Sequence, residues 1–145
     1  IAPTERCAEQ DAWPCKRPDV APLRGVVHDP TARRMGGIAG HAGLFSTAHD
    51  LQLFARMLLG KGRLGNTRVL SEASVIAMTS RQTPPNLVAS RGLGWDIDSQ
   101  FSSNRGGLFP VGRSYGHTGF TGTSLWIDPT TLPSDNEPSA RTIAR

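Results

Sequence analysis

Proline and glycine placement constrains this chain more than any other feature. Pro3, Pro14, Pro18, Pro22 and Pro30 punctuate its first third. A proline inside a helix removes a backbone donor and clashes with the preceding turn. Residues 1–35 are therefore expected to be an extended segment laid over a surface, with Pro30 among the helix breakers. Gly36, Gly37, Gly40 and Gly43 follow in quick succession. Glycines this dense imply positive φ angles or close backbone approach.

Regular structure is expected after that loop. Thr47 suits an N-cap, and Asp50 three positions on makes an approximate capping box, with Asp in the usual place of Glu. Leu51, Phe54, Ala55 and Leu58 recur at helical spacing, Leu44 and Phe45 are placed to pack where the helix begins, and Gly60 and Gly62 end it. Ser71 caps a second helix that carries Val75, Ile76 and Met78 and stops before Pro84-Pro85. Leu93 to Ile97 reads as a short strand. Residues 114–119 and 123–128 read as two strands of a hairpin around Phe120-Thr121-Gly122. In the second, Leu125 and Ile127 share one face, with Ser124, Trp126 and Asp128 on the other. From Leu132 onward, Pro, Ser, Asn and charge predict an irregular tail over 132–145.

Composition narrows the classes. With 145 residues and 37% hydrophobic content the chain can bury one modest core. The longest apolar candidate, Leu51 to Leu59, is broken by Gln52 and Arg56, so no membrane span is expected. The net charge of +4 and a pI near 9.8 invite a nucleic-acid reading. The basic residues are scattered, however, with only Lys16-Arg17 and Arg33-Arg34 adjacent, so no nucleic-acid partner is expected. Cys7 and Cys15 either close a short disulfide in an oxidising compartment or remain two thiols. The chain opens on Ile1 rather than Met, which suggests a processed form or a piece of a longer protein. The compartment is not legible, although the periplasm or secretion is compatible.

Several motifs fail on context. Gly112-Arg113-Ser114-Tyr115-Gly116 spells Gly-x-Ser-x-Gly. A nucleophile elbow needs a helix after it and then an acid and a histidine in that order; a strand is expected here instead, and no histidine lies after His117. His28, His41, His49 and His117 show no zinc spacing, so neither a metal nor a cofactor is expected. The glycine loop before Thr47 could hold an anion on free amides, but packing is the favoured explanation.

His117-Thr118-Gly119 carries the most information. A cationic or polar residue, a hydroxyl and a glycine on one strand could orient an anionic substrate group, with an adjacent amide stabilising an oxyanion. Longer stretches give the triplet a context. Residues 40–51, running into Phe54, Leu58, Leu59 and Gly60, resemble the "GGLxSTAxDL" helix of class C β-lactamase-like proteins. Leu70-Ser71 resembles the start of their next helix, Gly92-Leu93-Gly94-Trp95 their "YGLGW" strand, and Tyr115 to Thr123 their "GHTGxxxG" box. The blocks stand in the family's order, from about residue 36 to 128. The chain thus resembles the C-terminal part of a serine β-lactamase-like, penicillin-binding-protein-related hydrolase.

The resemblance implies an α+β fold: an antiparallel sheet flanked by helices, here an incomplete β-lactamase/transpeptidase-like fold over residues 36–131. It implies that His117 orients substrate, Thr118 hydrogen-bonds it, Gly119 leaves it room and the Phe120 amide donates to an oxyanion, all near the 36–43 loop on a concave face. It implies a small-molecule, peptide or ester substrate for the whole parent protein. The family's nucleophile lies in Ser-x-x-Lys, and no such motif exists here. Trp13 lies three before Lys16 and Leu58 three before Lys61. Ser102-Ser103-Asn104 and Ser134-Asp135-Asn136 match Ser-x-Asn by letters only. No catalytic residue is assigned, and the chain alone is expected to be inactive; a non-catalytic binding or structural domain on the same scaffold is the alternative. With the last family strand expected to be missing, the 114–128 hairpin should keep an open edge and favour self-association.

Overall fold

A computed structural model describes residues 1–4, 23–130 and 140–144. Cys7, Cys15 and Ser134-Asp135-Asn136 lie outside the described residues. Backbone contacts divide the chain into two units, Ile1–Ser46 and Thr47–Arg145. The glycine loop therefore groups with the N-terminal unit rather than with the helix that follows it.

The N-terminal unit corrects one expectation. Pro30 does not break a helix but opens one, α1 (Pro30–Arg34). At a first helical position the missing N–H costs nothing and the fixed φ suits the turn. Asp29 caps α1, its carboxylate accepting from the Ala32 amide at 2.7 Å. That amide, and then the His41 ring at 3.0 Å, hold Asp29 below the ordinary carboxylate range. Beyond α1, Gly36, Gly37 and Gly43 take φ of +87°, +88° and +109°, as the glycine density implied. At Gly43 an added Cβ would also lie 2.3 Å from the Gly37 carbonyl oxygen. Leu44 and Phe45, expected to be packed, are 87% and 42% exposed.

The second unit has the expected mixed α+β character. Helix α2 (Ala48–Leu59) is capped by Thr47, whose hydroxyl oxygen accepts from the Asp50 amide at 3.1 Å. The hydroxyl also donates to the Asp50 carboxylate at 2.8 Å, so the box closes side chain to side chain. A two-stranded ribbon, β1 (Arg63–Leu64) with β2 (Thr67–Arg68), follows. Helix α3 (Glu72–Thr79) is capped by Ser71, as expected.

Five antiparallel strands complete the unit in spatial order: β3 (Ser90–Arg91), β4 (Asp96–Asp98), β5 (Tyr115–Thr118), β6 (Thr123–Ile127) and β7 (Ala140–Ala144). Strand β4 starts later than expected because Gly94 turns the chain at φ +78°. Strand β7 corrects two expectations. It falls in the stretch read as an irregular tail, and it pairs with β6 from Thr123↔Ala144 to Ile127↔Ala140. The hairpin edge expected to be open is therefore covered.

The core explains the sheet's attachment to the helices. Ala55, Met57 and Leu58 of α2 and Val75 of α3 cluster with Trp95, Ile97, Tyr115 and Ile127. Leu125 packs against this cluster, so the shared face of Leu125 and Ile127 is as expected. The other face of β6 is covered as well at Trp126, which is 1% exposed. Tyr115 stands edge-on to Trp95 with centroids 5.3 Å apart.

Burial pushes the Tyr115 phenol up to about 12. The folded state then holds this proton more tightly than the unfolded chain, whose tyrosine ionises near 10. The stabilisation is whole below pH 10 and is lost as pH rises from about 10 to 12. Tyr115→Phe should show a shallower fall in unfolding free energy over that window, by on the order of 1–3 kcal/mol. Urea unfolding at a series of pH values measures it, and parallel curves for the two proteins would contradict the assignment.

Candidate active-site strand

The His117-Thr118-Gly119 triplet straddles the end of β5. Register fixes its position: Tyr115 pairs with Ile127, Gly116 with Trp126, His117 with Leu125 and Thr118 with Ser124. Two glycines make that geometry feasible. A Cβ on Gly116 would lie 2.4 Å from both the Leu125 carbonyl oxygen and Trp126 Cδ2. A Cβ on Gly119 would lie 2.2 Å from Thr123 Oγ1. Gly119 also donates its amide to the Thr123 carbonyl at 2.7 Å, and Gly122 donates to Gly119 at 3.0 Å, closing the turn. The hairpin thus favours glycine at 119, although a change of Thr123 rotamer would relieve the contact.

Along this strand the reachable positions lie toward the turn. Tyr115 and Gly116 are buried, His117 is exposed, and Thr118 and Gly119 are intermediate. Phe120 at the turn is 89% exposed. The four residues expected to form a site are therefore contiguous and reachable at one end of the sheet.

The structure adds a residue the sequence did not single out. Arg91 of β3 places Nη2 3.2 Å from His117 Nε2, across 26 positions of sequence. His117 Nδ1 lies 2.7 Å from the Thr118 carbonyl oxygen. Arg91 Nη1 is 3.7 Å from Asp96 Oδ1, an ion pair too long for a hydrogen bond. Asp96 is 2% exposed, and its other oxygen accepts from the Ser102 hydroxyl at 2.7 Å. Ser102 in turn accepts from the Ser99 amide at 2.9 Å. A buried carboxylate thus stands behind an arginine that reaches the triplet's histidine. Arg91 follows no motif of its own; it merely precedes the Gly92-Leu93-Gly94-Trp95 block, so nothing local signalled the contact.

Other candidates fall away on geometry. Ser114, the centre of the Gly-x-Ser-x-Gly match, is fully buried, and its hydroxyl donates to the Pro110 carbonyl at 2.7 Å. Ser102, the start of a Ser-x-Asn match, is committed to Asp96. An open depression of about 410 Å³ beside β3 has Arg91, Asp98 and Phe101 in its lining. Among the described residues no group of three His, Cys, Asp or Glu could hold a metal, and no helix is long and apolar enough to cross a membrane.

These motifs, in this order on this sheet, match a known family over nearly the whole chain: the Beta-lactamase family profile covers residues 2–141. The chain belongs to the beta-lactamase family. Relatives named "Putative D-alanyl-D-alanine carboxypeptidase" from Salmonella paratyphi B (strain ATCC BAA-1250 / SPB7) and Salmonella newport (strain SL254) are each 40% identical over 109 residues. Those alignments take in 74% of this chain and 24% of each relative. This beta-lactamase-family chain therefore spans about a quarter of the length of these relatives, and it is a member of a serine hydrolase superfamily.

The Asp96 network makes a measurable demand. Ser102→Ala removes the hydrogen bond that a buried carboxylate depends on, which costs roughly 1–3 kcal/mol. Urea denaturation should show that loss, whereas an unchanged midpoint would mean that Asp96 is not held as described.

Proposed function

We propose that this chain supplies the substrate-binding strand of a β-lactamase-related serine hydrolase, which forms and hydrolyses an acyl-enzyme on β-lactam-, peptide- or ester-like substrates. The observation that carries this reading is His117-Thr118-Gly119 at the exposed end of a central strand, inside a chain of this family. In the proposal Thr118 donates a hydrogen bond to the substrate and His117 orients it. The Phe120 amide donates to the oxyanion that forms when the acyl carbonyl is attacked. Such a donor acts because it is already oriented where negative charge develops. The relatives' name makes a peptide ending in D-alanyl-D-alanine the first substrate to test.

The nucleophile is not assigned to any residue of this chain. The sequence contains no Ser-x-x-Lys, and a serine without such a neighbour is a weak nucleophile at neutral pH. That absence also favours the second reading, a binding or structural domain that keeps the scaffold without the chemistry. Both readings hold that the 145-residue chain alone does not turn over substrate.

One measurement tests what both readings hold, and a second separates them. The chain should not hydrolyse nitrocefin or p-nitrophenyl esters above background; a burst stoichiometric with protein and abolished by one serine substitution would contradict this. Titration with an acyl-D-alanyl-D-alanine peptide should shift amide resonances of residues 116–120 in a nitrogen–proton correlation spectrum. Thr118→Val should weaken that binding. Resonances that stay put, or shifts confined to other residues, would remove the substrate role and leave the scaffold reading.

A further inference from the structure

Two contacts define the state of the His117 ring more closely than the triplet alone could. Arginine carries five N–H donors and no acceptor, and it stays charged under all ordinary conditions. At 3.2 Å from Arg91 Nη2, His117 Nε2 can take part in a hydrogen bond only as the acceptor, so it carries no proton. On the other side, Nδ1 lies 2.7 Å from the Thr118 carbonyl oxygen. A carbonyl only accepts, so Nδ1 must donate. One tautomer satisfies both contacts: a neutral imidazole with its proton on Nδ1.

From this we infer that Arg91 is a positioning residue for the candidate site, fixing His117 as the neutral, Nδ1-protonated tautomer. The inference deepens the proposed substrate-binding role of the strand and rests on it for its functional meaning. The contacts themselves stand without it. Arg91 is suited to the task because it is itself held. Its side chain is 33% exposed, and Asp96, whose side chain is 3% exposed, lies 3.7 Å from Nη1. Ser102 fixes Asp96 in turn through a 2.7 Å hydrogen bond. The β3–β4 ladder irregularity between Ser90 and Arg91 falls at the residue that reaches across, as expected where a bulge re-aims a side chain.

The consequence is chemical. With Nε2 occupied by a guanidinium and Nδ1 by its own strand, His117 is not a free base. Arg91 brings a fixed positive charge to this end of the sheet, beside an uncharged ring. The family pattern puts a lysine, a cation, at the triplet's first position. Here the cation and the strand residue are two different side chains, from β3 and β5.

Long-range nitrogen–proton correlation spectra of the histidine rings test this directly, since the two ring nitrogens report which one is protonated. In the unmodified chain near neutral pH, His117 should show the Nδ1–H pattern, identified by its loss in His117→Gln. Arg91→Ala should release the ring to a mixture weighted toward the Nε2–H form that free imidazoles favour. Arg91→Lys keeps a long side chain whose ammonium only donates, and should retain the Nδ1–H form. An Nε2–H or doubly protonated ring in the unmodified chain would overturn the inference whatever the variants do. So would an unchanged Nδ1–H pattern in a folded Arg91→Ala protein. The readout needs no substrate, so a failed peptide titration with the correct tautomer would count against the substrate role alone.

Discussion

The pairing of Gly116 with Trp126 across β5 and β6 is the contact on which the candidate site depends. No other residue could occupy position 116 without moving either the Leu125 carbonyl or the indole ring. The close approach lets Trp126 bury completely while the two strands keep an unbroken register from Tyr115↔Ile127 to Thr118↔Ser124. That register sends Tyr115 and Ile127 into the core with Leu58 and Trp95, and it leaves His117, two residues along on the same face as Tyr115, exposed near the strand's end. A slip of one residue would turn every one of these side chains to the opposite face.

Behind the triplet the structure spends a buried charge. Removing a carboxylate from water is unfavourable unless partners compensate. Asp96 has one short hydrogen bond from Ser102 and one longer ion pair with Arg91. Such an arrangement adds little stability over a well-packed apolar cluster, but it fixes where the arginine points. Further along β4, away from the triplet, Arg105 donates to the Ile97 carbonyl at 3.0 Å and lies 5.8 Å from the Trp126 ring centroid. The polar residues between β4 and β5 thus serve orientation more than cohesion.

Much of this was legible in the sequence, for local reasons. Thr47 and Ser71 announce α2 and α3 because an N-cap acts within a few residues of itself. The hairpin shows through its turn glycines and alternating pattern, and the triplet through the blocks around it. What was missed depends on partners distant in sequence or on position within an element. Pro30 was read as a breaker because proline opposes helix interiors, but it sits at a first turn. Ala140–Ala144 has no strong alternation of its own and becomes a strand by pairing with β6. The burial of Trp126 was not legible because alternation alone does not reveal that both faces of a strand are covered. Arg91 could not be joined to His117 without knowing that β3, β4 and β5 lie side by side.

The central claim is that the exposed end of β5 receives the substrate. The crystal structure of the protein, together with any in-frame coding sequence around this chain, bound to a β-lactam would test it most directly. Polar groups of the ligand should lie within hydrogen-bond distance of Thr118 Oγ1 and the Phe120 amide, with Arg91 still against the His117 ring. A ligand seated elsewhere, with residues 117–120 untouched, would contradict it.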